Sequence, residues 1–176
     1  MRVITAPETY TLTDNDITVF LAGGITNCPD WQSDVIKRLE NMGMNRLIVF
    51  NPRRENFPIN DPSAADEQIA WEFNALQRAD IFSMYFSAGD SDQPICMYEL
   101  GRNIVTMQMK HPTDWQNRLI ISVEDEYRRH KDVLVQTELA CGGCFVNTTT
   151  DLLSSKESIL RDFHATSILK SYLKLT

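Results

Sequence analysis

Residues 69 to 105 read IAWEFNALQRADIFSMYFSAGDSDQPICMYELGRNIV. A helical pattern runs to Arg78, an apolar stretch spans 81–86, a polar loop follows from Ser87 to Pro94, and a second helical pattern opens around Glu99. The order is helix, strand, loop, helix. In open α/β sheets ligands sit beyond the carboxyl ends of the strands, so the loop at 87–95 and the turn after it should face a pocket that contains Glu99. On the first helix Ile69, Phe73 and Leu76 fall within about 40° of one another at about 100° per residue, which predicts its buried stripe. Glu72 lies at the edge of that stripe, a place that suits a pocket wall. Trp71 faces away from it, which suits a subunit contact.

The same alternation extends in both directions. Residues 1–16 show little periodicity and read as an N-terminal extension or an edge strand, ahead of a domain over 17–176. From Ile17, ITVFLAGG is an apolar β-rich run that closes in a Gly pair, as expected of a buried parallel strand entering a tight loop. Ala22, Gly23 and Gly24 at its end would let a ligand approach the backbone. Asp30 is a helix N-cap, with apolar residues at 31, 35, 39 and 42 and Gly43 past the end. Trp31, at the start of this helix, reads as a core anchor rather than a base-stacking platform.

A second strand covers 46–50, and NPRRENFPINDPS after it is a loop. Asp61-Pro62 forms an N-cap and first helical position. The third strand is 81–86, followed by a helix over about 96–108 with Leu100, Ile104 and Met107 toward the core. A fourth strand at 119–123, a helix over about 129–140, a fifth strand at 144–147 and a closing helix with Ser154 and Glu157 in capping-box spacing complete the pattern. The fold expected is α/β: one doubly wound, Rossmann-like or flavodoxin-like domain with a five-stranded parallel sheet and helices on both faces.

With 176 residues the chain has the length of one domain. It lacks an apolar run of the roughly 20 residues needed to span a bilayer, and its polar start does not resemble a signal peptide. A cytoplasmic protein without membrane attachment is the expectation. The net charge of −7 argues against polymeric nucleic acid, whose binding relies on Lys and Arg. Of the cysteines, Cys141 and Cys144 form a CGGC pair, read as a small-residue turn into a buried strand, since the histidines make no complementary zinc set.

The chain has neither a P-loop nor a G-x-G-x-x-G after its first strand, and no G-x-S-x-G elbow. The chemistry left is acidic: Glu72, Asp80, Asp90, Asp92 and Glu99. Paired carboxylates cleave glycosidic bonds, one attacking the anomeric carbon and one handling the proton of the leaving group. A carboxylate in a helix's first turn is kept ionised by the dipole, whereas one beside an apolar stripe is more easily protonated. That assigns Glu99 as nucleophile and Glu72 as proton handler. First-turn acids are also common simply because they stabilise helices, so spacing leaves both meanings open.

FLAGGI at 20–25, WQ at 31–32, NPRR at 51–54, WE at 71–72, RADI at 78–81 and PICMYELG at 94–101 resemble, in this order, the nucleoside 2-deoxyribosyltransferase superfamily, in particular its phage and bacterial branch. The resemblance spans about 17–165. It implies that Glu99 attacks C1′ of a 2′-deoxynucleoside, giving a covalent deoxyribosyl-enzyme that a second base or water resolves with retention. Glu72, where other members carry Asp, would contact the base and assist its departure. An Asp in the loop before the nucleophile holds sugar hydroxyls in the family; Asp92 is the nearest match and Asp90 its rival, while Ala22, Gly23 and Gly24 would line the pocket. Asp80, in RADI, is a further candidate substrate contact.

A relative of this family hydrolyses deoxynucleoside 5′-monophosphates, and Arg53 and Arg54 would suit a 5′-phosphate, or else form a solvated pair. The expectation is therefore an enzyme acting on a small nucleoside or nucleotide, without metal or redox cofactor, and a homo-oligomer, as the family's shared sites imply. The alternatives are a non-catalytic nucleotide-binding module and a hydrolase of another N-riboside such as NAD.

Overall fold

The structure is a computed structural model that describes residues 1–142 and the backbone of 146–149. Its strands are β1 (Arg2–Thr5), β2 (Ile17–Gly23), β3 (Leu47–Asn51), β4 (Ile81–Phe86), β5 (Leu119–Glu124) and β6 (Val146–Thr149). Among the described residues four helices alternate with them: α1 (Trp31–Asn41), α2 (Pro62–Arg78), α3 (Pro94–Lys110) and α4 (His130–Cys141), with a short 3-10 turn at Trp115–Arg118. The sheet order is β1-β3-β2-β4-β5-β6, and every neighbouring pair is parallel. The five expected strands are all present in the flavodoxin-like order. The N-terminal segment takes the edge-strand option, so the sheet has six strands among the described residues.

The apolar runs explain the double winding. β2, β4 and β5 are buried along nearly their whole length, which only a sheet covered on both faces allows. Phe20, Ala22, Phe82, Met84 and Phe86 point into the core beneath α2, α3 and α4, while Val19, Leu21, Ile81 and Tyr85 point to the side of α1. Trp31 is fully buried against Tyr85, with ring centroids 5.2 Å apart, and is the core anchor expected.

Local signals hold where they depend on the chain alone. The Asp30 side chain accepts from Ser33 N at 3.2 Å, and Asp61 accepts from Ser63 N at 2.9 Å, so both predicted caps are formed. Gly142 ends α4 in the left-handed conformation, which gives the first half of CGGC its turn. Cys144 and the closing helix expected around Ser154 and Glu157 lie outside the described residues.

The buried face of α2 differs from expectation. Ile69 and Phe73 are 64% and 49% exposed, whereas Trp71 is 8% exposed and packs against Tyr10, Phe20 and Phe50. Its indole N–H donates to Glu8 O at 2.8 Å. The helix therefore turns its Ala64, Trp71, Ala75 side to the sheet, because the segment joining β1 to β2 lays Tyr10 there as a partner for the indole. Trp71 is a core residue and not a subunit contact.

Candidate active site

In this strand order β2 and β4 are the neighbours at which the winding reverses, so the loops leaving their carboxyl ends diverge and open a crevice. A cavity of about 220 Å³ fills it. Its floor is Phe20, Ala22, Gly23 and Gly24, and its walls include Pro52 after β3, Glu72 of α2, Ser91 and Gln93 of the loop after β4, and Cys96 and Glu99 of α3. The two carboxylates proposed from sequence thus come from different helices and meet at one site.

The glycines are demanded by packing. A Cβ on Gly23 would stand 2.5 Å from the Tyr85 carbonyl and 2.9 Å from the Trp31 ring, and on Gly24 it would stand 2.3 Å from Cys28 Sγ. The strand end can therefore press against β4 and α1 only without side chains. The cavity floor follows from that fit.

Glu72 accepts from Gln68 Nε2 at 2.7 Å, and the same amide nitrogen donates to Pro52 O at 2.7 Å, which ties α2 to the loop after β3. Burial raises the pKa of Glu72, and the bond from Gln68 opposes the rise. Burial, with nearby Glu72 adding to it, pushes the Glu99 carboxyl up to about 7, and Arg102 counters only in part. The assignment of Glu99 to an ionising first turn needs correction. α3 begins at Pro94, so Glu99 belongs to the second turn, beyond the reach of the helix end, and desolvation dominates. The thiol of Cys96 in the same wall is pushed up to about 12 by burial and by Glu99, and is inert as a nucleophile.

The other predicted residues are placed as follows. Ala22, Gly23 and Gly24 line the cavity. Asp80 sits at the opposite end of the sheet, ahead of β4, where it accepts from Thr18 N at 2.9 Å and Thr18 Oγ1 at 2.8 Å. Asp90 is exposed, and Asp92 is paired with Arg128 at 3.5 Å on the side of α4. Neither lines the cavity.

Arg53 is committed to protein acceptors: it donates to Gln32 Oε1 at 2.9 Å, to Gly24 O at 3.2 Å and to Pro29 O at 2.8 Å, and pairs with Asp30 at 3.3 Å. It braces the loop after β2. Arg54 pairs with Glu67 at 3.3 Å and lies over the Phe57 ring. Sequence reasoning missed Ser91 and Gln93, which enter the cavity from the loop where acidic side chains drew attention.

By fold and site the chain is a doubly wound α/β protein with a paired-carboxylate crevice at its switch point. A family model described as nucleoside 2-deoxyribosyltransferase like matches residues 16–106, from the start of β2 into α3, and so includes the whole crevice. The chain belongs to this family. Its function is accordingly nucleoside 2-deoxyribosyltransferase-like, a glycosyl-transferring activity with a small nucleoside as substrate class. No curated protein matches the chain. No helix among the described residues is long and apolar enough to cross a membrane.

Proposed function

We propose that the protein cleaves or exchanges the N-glycosidic bond of a 2′-deoxynucleoside through a covalent deoxyribosyl-Glu99 intermediate. The observation that carries this reading is the convergence of Glu99 and Glu72 on one small, largely apolar cavity. A Glu99 carboxylate oxygen bonds to C1′ as the bond from C1′ to the base nitrogen breaks, and Glu72 delivers a proton to the departing base. A second base, or water, then attacks C1′, the ester to Glu99 breaks, and the proton that the acceptor loses passes to Glu72. Two inversions give net retention.

In the free protein the raised pKa values run against this division, because Glu99, the attacking group, is the one pushed up to about 7. Burial first, and repulsion from Glu72 second, let the pair keep a proton up to about pH 7. In the free protein the proton rests mainly on Glu99, because Gln68 donates to Glu72. Bound base offers its nitrogen to Glu72, and the proton must move there before attack.

Among the described residues that line the cavity there are two carboxylates and no Lys or Arg. With Arg53 and Arg54 committed elsewhere, a neutral deoxynucleoside fits better than its 5′-monophosphate. Ser91 and Thr26 are the polar groups available to sugar hydroxyls, in place of Asp90 and Asp92.

A homo-oligomer belongs to the same proposal. Tyr98, Val105 and Met109 on α3 and Ile69 and Phe73 on α2 make an exposed apolar stripe beside the site. The Arg102 guanidinium lies over the Phe73 and Tyr98 rings, 5.1 Å and 5.7 Å from their centroids, and joins the α2 and α3 parts of this face, where a second copy can approach. A cytoplasmic setting agrees with the free thiols of Cys28 and Cys96.

The test is chromatographic. The protein is incubated with each deoxynucleoside and each 5′-monophosphate, with and without a second free base. Exchange that needs the second base identifies a transferase, and free base released without an acceptor identifies a hydrolase. Preference for monophosphates would overturn the nucleoside assignment. Binding without turnover on every substrate would overturn catalysis in favour of a sequestering module.

A further inference from the structure

Gln93 stands immediately before α3 with φ 45° and ψ 52°, a left-handed backbone that residues other than glycine rarely adopt. Pro94 follows, and a proline disfavours helical conformations in the residue ahead of it. The position is strained, so the surroundings must hold it. They do so through the side chain. Gln93 is 4% exposed, its Oε1 accepts from Gly24 N at 3.1 Å, and its Nε2 donates to Ser87 O at 2.8 Å. Its own carbonyl accepts from Met97 N at 3.2 Å in the first turn of α3.

One residue thereby joins three walls of the cavity: the loop after β2, the end of β4, and the helix that carries Glu99. We infer that Gln93 is a positioning residue whose amide locks the Gly24 backbone to the start of α3 and so sets where Glu99 stands against the cavity floor. The consequence for turnover rests on the proposed N-glycosyl chemistry; the placement of Glu99 does not.

The amide is suited to this by its two ends, since it accepts at one and donates at the other. A carboxylate could still accept from Gly24 N but would face the Ser87 carbonyl with a second acceptor. A hydrocarbon of the same length could do neither. Gly24 is the matching half, because a Cβ there would stand 2.7 Å from Gln93 Oε1. The groups whose field Glu99 feels are Glu72 on α2 and Arg102 on its own helix, with the Cys96 thiol adjacent, so a shift of α3 against the floor changes their separation and the access of water.

The full chain is compared with Gln93→Met, Gln93→Glu and Gln93→Gly, the last of which keeps the left-handed backbone comfortable and removes only the side chain. In the Met and Gly variants the Gly24 amide should exchange its hydrogen about 10-fold faster, while the Glu variant retains protection there. The carboxyl titration of Glu99, followed by NMR, should move toward the ordinary Glu range in the Met and Gly variants. Base release should lose about 10-fold or more in kcat, with KM changed much less, as misplacement of a reacting group predicts. Variants that melt earlier but leave the Glu99 titration and kcat unchanged would reduce Gln93 to a structural residue and overturn the inference. If the parent protein turns over no substrate, the functional reading fails on its own, and the exchange and titration still decide the role of Gln93.

Discussion

Glu99 and Glu72 share a cavity of about 220 Å³ in which both cannot be charged at low cost. The pair keeps a proton up to about pH 7 and loses it above, so kcat/KM should fall as pH rises past about 7. A profile that climbs steadily to pH 9 would show that no proton from the pair is needed. Glu99→Gln should lower turnover by about 10³-fold or more. It should also change stability in a pH-dependent way. The folded pKa of Glu99 lies above the unfolded one, so its contribution is fully present below the unfolded value and lost as pH rises through about 7. Urea melts should therefore find Glu99→Gln more stable than the parent at pH 8 by about 1–3 kcal/mol, with that advantage gone near pH 4. Sequence order pointed to both carboxylates, but their ionisation was illegible. It depends on where α3 begins and how deeply Glu99 is buried, and neither follows from a position in a motif.

At the scale of elements, helix caps and the strands 81–86 and 119–123 could be read directly, because a cap needs its partner two or three residues away and a buried strand needs only a continuous apolar run. The face of α2 could not. A helical wheel ranks Ile69 and Phe73 as core, yet Tyr10, brought from the distant N-terminal segment, makes Trp71 the buried residue. Trp71→Ala should accordingly cost about 3–5 kcal/mol in urea unfolding, against less than about 1 kcal/mol for Phe73→Ala. The loop after β2 gives a second contrast. Arg53→Met should impair nucleoside and monophosphate turnover alike, because the guanidinium braces the loop; a loss confined to monophosphates would restore it as a phosphate ligand. RADI marks Asp80 as a candidate substrate contact. Its carboxylate instead fastens the start of β4 to Thr18.

For the whole molecule, the alternation of strands and helices implied the parallel sheet, and the sheet order then dictated that ligands meet the chain between β2 and β4. What the pattern left open was the edge, since a short segment such as Arg2–Thr5 becomes a strand only because β3 offers it a partner. Surface character is equally a property of the assembled molecule. The apolar stripe on α2 and α3 predicts that Val105→Glu combined with Met109→Glu lowers the mass found by analytical ultracentrifugation toward that of one chain. A mass unchanged between parent and variant would remove that face as the contact between copies.

Arg53 and Gln93 grip the same residue from opposite sides, one at the Gly24 carbonyl and one at its amide. The turn between them has its shape fixed before any ligand arrives. Binding then freezes little backbone at the cavity floor, and selectivity among ligands becomes a matter of outline, with misfits excluded by a surface that does not yield.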